Sequence, residues 1–451
     1  MKRIRRIAAS LIQSRLGRRE VLRRRSRVQT RNLDIDSLES RLMLSADLLY
    51  PSNPLDALVT DLTLVAETSG SDVFLRLRQT SNLSNILASV QLDDAGDFDV
   101  NIKRDDFGGG STVLDLASDT VRVDLDTFAL LNTFVSGSGG VLDLDFDGGT
   151  EIPLVSDDHF RVEGTGTFSL GYALALHSTS DVTINTGFAT FAGDVTVKSD
   201  DEIKVTGSSH IAAGSNTLLL EAKATDDEGL PGVDGLLFTA NSAISVDSAG
   251  VTLEAGNITL RAQSAITITN SNFSPGSVNI AFAIGISDAS IIVSDGTLNA
   301  INDLTIEAIS TVSSTLTTVP DDAEDDDDEV DAAVASAILH STANVLISGG
   351  DLDAGDAVQI KSNNTVNAST TADGLSGDSG GTVAVNVFTG DTTAIVSGGS
   401  VDGTSVEVFW ARDTCMRPAA CAWLQTTQPK STRSLAQPPS PGRPLLRLLA
   451  A

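Results

Sequence analysis

Short bursts of alternating apolar and polar residues organise this chain. Three stretches show the pattern best: ASIIVSDGTLNAINDLTIEA from Ala289, ANVLISGGDLDAGDAVQIKS from Ala343 and TAIVSGGSVDGTSVEV from Thr393. In each, an alternating pair (Ile291 and Val293, Val345 and Ile347, Ala394 and Val396) runs through Ser-Asp-Gly or Ser-Gly-Gly to a lone aliphatic (Leu298, Leu352, Val401). A second turn leads to another pair (Leu304 and Ile306, Val358 and Ile360, Val406 and Val408). Period-two alternation, β-branched side chains and Gly/Asn/Asp punctuation predict strands with one buried face. A unit this small cannot bury that face alone, so its recurrence predicts stacking into a solenoid.

Looser copies precede these: GDVTVKS from Gly193, SNTLLLEA from Ser215 and GNITLRA from Gly256. Marked by the first apolar residue of the second pair (Val195, Leu218, Ile258, Leu304, Val358, Val406), the copies are 23, 40, 46, 54 and 48 residues apart. Solenoid coils of about 20–25 residues make the long spacings read as pairs of coils. VNIAFAIGI from Val278, VDAAVASAIL from Val330 and TVAVNVF from Thr382 then supply the intervening coil. The predicted fold is all-β, a parallel β-helix over residues 181–408 with Val, Ile and Leu inward and Thr, Ser, Asp and Asn outward. Residues 48–180 alternate cleanly without repeating, as in VFLRLRQ from Val73 and GVLDLDFDGGTEIPLV from Gly140. They are predicted to form a β-rich lead-in domain that covers the open end of the solenoid, where strand edges are otherwise unpaired.

Composition agrees with narrow coils. Only 4% of the 451 residues are aromatic, so the core must be built from small branched aliphatics. Charge is divided unevenly: 13 of the 30 Lys and Arg lie in residues 1–47 and six in residues 409–451. Between Leu48 and Val408 that leaves 11 basic against 54 acidic side chains, a formal charge of −43. Such a body opposes binding to nucleic acid or anionic lipid. No run of about 18 apolar residues is present, so a membrane-spanning body is not expected.

The first 47 residues read as a basic, Arg-rich leader whose apolar stretch, Ile7 to Ile12, is short for a secretory signal. It ends in LESRLMLSAD, which resembles the LEPR-XLL motif near the start of very large repetitive bacterial surface and exported proteins. Leu38, Glu39, Arg41, Leu44, Ser45, Ala46 and Asp47 match, while Ser40 stands for the Pro and Met43 for one Leu. The coils over residues 278–408 are also similar to those of giant adhesin-like and haemagglutinin-like proteins, TVAVNVFTGDTTAIVSGGSVDG being a near-complete example. These resemblances imply export to the cell surface or beyond, through export machinery that reads the leader, and a role in binding cell-surface or matrix glycan or protein.

Two acidic features come nearest to a binding site. Nine acids fall among the eleven residues from Asp321 to Asp331, including Asp322, Asp325, Asp326, Asp327 and Asp328. Such a like-charge block reads first as a solvated loop, with calcium as the alternative because hard oxygen ligands suit that ion. Asp143, Asp145 and Asp147 of DLDFDGG form a second calcium candidate beside the plain reading of an Asp-Gly-Gly turn. No other cofactor is expected. Catalytic constellations are weak: His159, His177, His210 and His340 are scattered, and no GxSxG, Walker or GxGxxG loop opens a helix.

The last 43 residues differ in kind. Both cysteines, both tryptophans and half of the 12 prolines lie in residues 409–451, where acids nearly vanish. Loss of alternation after Val408 reads as text in a wrong frame or a truncated gene, with a genuine Pro-rich tail as the alternative. The chain is thus read as a non-enzymatic, exported, adhesin-like β-solenoid, the N-terminal part of a larger protein. The alternative is a β-helix enzyme acting on polysaccharide.

Overall fold

A computed structural model describes residues 44–51, 61–92, 97–105, 120–135, 140–147, 158–225, 227–228, 237–269, 272–273, 278–318, 331–372, 380–418 and 433–434. The chain divides into two compact units between Met43 and Leu44. The first unit lies outside the described residues, and the second is a parallel β-helix. Its chain visits three sheets in turn, for example Ala173–Ser178 in sheet A, Asp181–Asn185 in sheet B and Phe188–Phe191 in sheet C, before returning to sheet A at Val195–Ser199. Each strand lies parallel to the one a turn earlier, as sequence alternation demands when every second side chain must enter one shared core. That core runs the length of the helix and is made chiefly of Leu, Val and Ile, with its aromatics, Phe98, Phe128, Phe146, Phe160, Phe168, Tyr172 and Phe191, in the N-terminal turns.

The three sequence copies stack in register. Ile291, Val345 and Ala394 are successive partners, as are Leu298, Leu352 and Val401, and Leu304, Val358 and Val406. The Ser-Asp-Gly and Ser-Gly-Gly corners explain their own recurrence. Gly296, Gly350 and Gly399 hold φ of 104°, 86° and 79°, in the left-handed region open to glycine. A Cβ on Gly350 would sit 2.6 Å from the Gly296 carbonyl oxygen of the turn beneath. Gly350→Ala is therefore expected to cost about 1–3 kcal/mol, measured as a lower urea midpoint; an unchanged midpoint would remove the stacking constraint.

The long spacings are not pairs of coils. Val195, Leu218, Ile258, Leu304, Val358 and Val406 are immediate neighbours in sheet A, so the intervals of 40, 46, 54 and 48 residues are single turns rather than pairs. Length is gained within the strands. Leu304–Thr318 and Ala357–Ala372 in sheet A, with Val278–Val293 and Asp331–Ile347 in sheet B, overrun the central core and continue as a two-sheet wing. The VNIAFAIGI and VDAAVASAIL segments form the sheet B half of that wing. A second core fills it, with Ile266, Val312, Leu316 and Val366 of sheet A against Ala281, Ala283, Ala335 and Ala337 of sheet B. Small residues on one sheet let the two backbones approach while large ones on the other fill the gap.

A row of buried polar side chains separates the two cores. Ser264, Ser287, Ser310, Ser341 and Asn364, each no more than 1% exposed, alternate between sheets A and B up the stack. Ser287 Oγ lies 2.9 Å from Ser310 Oγ, which lies 2.6 Å from Ser341 Oγ, and Ser341 Oγ donates to Asn364 Oδ1 at 2.7 Å. The ends are closed as well, since Ser264 Oγ donates to the Ala240 carbonyl and Asn364 Nδ2 to the Ser341 carbonyl. Each position would be apolar by simple alternation; polar groups survive there only because the row satisfies them.

Sheets A and B pass through residue 180 without a break: Leu142 of Val141–Asp147 pairs with Leu174, and Phe160 with Val182. The lead-in region expected over 48–180 thus contributes turns of the same helix, starting from strand Leu44–Pro51. Two elements give it its own character. An antiparallel hairpin, Asp72–Gln79 with Asn82–Leu92, extends sheet B beyond Asp61–Ser69. A 3-10 helix, Leu125–Leu131, continued by the short helix Asn132–Val135, lies over the first strand of sheet C, where the Asp126 carboxylate accepts from the Thr165 and Gly166 amides. At the other end, strand Ser405–Pro418 continues its parallel ladder ten residues past Val408, from Phe409 beside Lys361 to Pro418 beside Thr370.

Candidate binding faces

The outer face of sheet A presents its side chains as columns running across the turns. Cross-strand register places Asp145, His177, Lys198, Glu221, Arg261, Glu307 and Lys361 in a single column. Bases and acids alternate along most of it. His177 Nδ1 lies 3.4 Å from Asp145, Lys198 Nζ 3.8 Å from Glu221, and Arg261 3.7 Å from Glu221 and 3.4 Å from Glu307. Parallel stacking would otherwise set like charges one strand apart, so alternation along the column is the arrangement that costs least. Exposed pairs of this kind contribute little stability each. Their effect here is to neutralise a path along a strongly acidic protein.

Beyond the column, the wing half of the same face carries mainly hydroxyl and amide groups, with Lys223 and Ile309 in its first row beside Gln263. Thr267, Ser313 and Asn367 are register partners; so are Thr269, Thr315 and Ser369, and Thr311 and Thr365. Strand spacing of about 4.8 Å and a same-face repeat of about 6.7 Å give this array a regular lattice. Its inward counterparts, Ile266, Val312 and Val366, fix the strands from below.

The acidic candidates separate. Asp143 and Asp145 face outward from Val141–Asp147, with Asp99 directly beside Asp143 and Lys103 beside Asp147. Burial pushes the Asp143 carboxyl above its ordinary range, and Asp145 and Asp99 push the same way. Asp99 is raised by burial and then by Asp145 and Asp47. His177 is raised mainly by its hydrogen bond with Asp200, with Asp145 adding to it. Among the described residues no group of three or more His, Cys, Asp or Glu side chains is arranged to hold a metal ion. Asp321, Asp322, Asp325, Asp326, Asp327 and Asp328 lie outside the described residues, between the wing strands Leu304–Thr318 and Asp331–Ile347. The histidines each find a carboxylate: His159 faces Asp181, His210 Glu254 and His340 Asp288, at 3.9, 3.4 and 3.6 Å.

Two pH responses follow with defined sign. A raised carboxyl favours the folded state when protonated, so the Asp143 contribution is fully present below about pH 4 and lost as pH rises through the folded value. Asp143→Asn is expected to raise the melting temperature at pH 7 and to leave it unchanged near pH 3; a lower melting temperature at pH 7 would contradict the burial effect. The raised His177 contributes stability below its unfolded value near 6.5, lost as pH climbs through the higher folded value.

The matching residues of the leader motif fall on both sides of the unit boundary. Leu38, Glu39 and Arg41 lie outside the described residues, while Leu44, Ser45, Ala46 and Asp47 form the first half of strand Leu44–Pro51, beside Phe98, Asp99, Val100 and Asn101. Sequence reasoning missed the charge column and the hydroxyl array. The alternation Thr267-Ile-Thr269 and Ser313-Ser-Thr315-Leu-Thr317 was their visible signal, but register alone aligns it. No protein-family model, curated protein or solved structure matches the chain. Among the described residues no helix is long and apolar enough to cross a membrane.

Proposed function

We propose that this protein is an exported, adhesin-like β-solenoid that binds neutral glycan or protein through repeated weak contacts along sheet A. The observation that carries this reading is the aligned hydroxyl and amide array around Thr267, Thr315 and Asn367, set on a rigid parallel sheet. Each hydrogen bond to such a group is weak, but equal spacing lets a repetitive ligand engage many at once, and effective concentration multiplies them. The LEPR-XLL-like segment and basic leader support delivery to the bacterial surface. The high acidity of the body favours uncharged partners over anionic ones.

Binding of the full chain to an array of neutral and acidic glycans and matrix proteins tests this. Retention by neutral polymers, lost in Thr267→Lys/Thr315→Lys, is expected; retention that survives both changes would move the binding face elsewhere. A second reading has its own support, because the raised carboxyls of Asp99 and Asp143 stand side by side as acid–base pairs do in enzymes that cleave polysaccharide. Release of reducing ends or unsaturated sugars from the same glycans, abolished in Asp143→Asn, would establish catalysis in place of display.

A further inference from the structure

Thirteen large hydrophobic side chains are exposed among the described residues, and seven of them lie together on the outer face of sheet B in the last turns: Ile292, Ile338, Leu346, Val383, Val385, Val387 and Ile395. Register gathers them into strips. Ile338 lies between Ile284 and Val387, Phe282 shares its row with Val385, and Ile292, Leu346 and Ile395 form a second column further along the same strands. Between the two strips runs a polar one, with Asp288, His340, Thr342 and Thr389. Among the described residues the strands of this face expose two ionisable outward groups, Asp288 and His340, which sit 3.6 Å apart, and Asp391 follows in the connector before Thr392. An apolar area of this kind is unusual on a soluble surface, and more so on a chain of net charge −30.

We propose that this face is a self-association surface, on which a second copy of the chain packs sheet against sheet. Charge selects the partner. Two copies repel each other over most of their surfaces, whereas on this broad face the described carboxylates are Asp288, beside His340, and Asp391 of the connector. Pattern selects the geometry. A two-fold axis lying in the face and parallel to the strands sets each apolar strip against its own copy. It likewise sets the row of Asp288 and Thr342 against its own counterpart, and the row of Ile286, His340 and Thr389 against its own. Area is sufficient: three or four strands about 4.8 Å apart, each extended over about 13 residues, make a face of roughly 600–800 Å² per copy, at the size of a standard stable interface. The inference is independent of the binding reading for sheet A, which faces the other side of the wing.

Sedimentation of the full chain over a range of concentrations tests it. A reversible monomer–dimer equilibrium is expected. Ile338→Lys and Val385→Lys, both at exposed positions, are expected to raise the dissociation constant by about tenfold or more, with unchanged circular dichroism. Thr267→Lys, on the outer face of sheet A, is expected to leave it unaltered. A chain that stays monomeric at every concentration overturns the proposal. So does a dimer that Ile338→Lys does not weaken, which would place the contact at the open strand edges. Monomer that binds neutral phosphatidylcholine vesicles and loses that binding in Val385→Lys would also overturn it, assigning the face to lipid.

Discussion

Ile347→Asp is expected to unravel the C-terminal turns of the helix. Ile347 is fully buried, stacked between Val293 below and Val396 above, and no basic group lies in the core around it. Placing a carboxylate there leaves an unpaired buried charge, costing about 3–5 kcal/mol or forcing the site open to water. Because each turn is held chiefly by its neighbours, the damage should spread through the adjacent turns. Gln359→Asp is the control. Gln359 faces outward between Thr305 and Glu407, so the new charge meets one like charge across the strands and costs at most about 1 kcal/mol. Thermal melts followed by β-sheet circular dichroism distinguish the two; comparable losses in both variants would contradict the register.

The second large effect belongs to the polar row between the cores. Asn364→Leu keeps the branched heavy-atom shape but removes the donor to the Ser341 and Asp391 carbonyls, at 2.6 and 3.3 Å, and the acceptor of the Ser341 hydroxyl. With each stranded buried group costing about 1–3 kcal/mol, a total loss of about 2–4 kcal/mol is expected. Ser341→Ala in the Asn364→Leu background should then cost less than it does alone, since its partner is already gone. Additive losses in urea denaturation would show that the row does not act as a unit.

Much of the helix was legible because parallel stacking repeats one environment at every turn. Ile291, Val345 and Ala394 had to be alike since they occupy one position, and the left-handed corner at Gly296, Gly350 and Gly399 left a glycine in each copy. The number of turns was not legible. Spacing counts residues between like positions and is blind to whether the excess forms a further turn or lengthens existing strands, so the wing was mistaken for intervening coils. Nor could alternation explain Ser264, Ser310 and Asn364 at inward positions, because only packing shows that five such residues meet each other.

The sequence by itself determined strand type, inward face and stacking, since these depend on local alternation and turn chemistry that each copy carries whole. Tertiary structure alone decided which turns are neighbours, where one core ends and the next begins, and which outward residues share a face. Those properties arise between residues 20 to 50 positions apart, and their alignment depends on loop lengths and strand register that no single copy contains. The neutral aliphatic strips on sheet B and the hydroxyl array on sheet A both belong to that second kind.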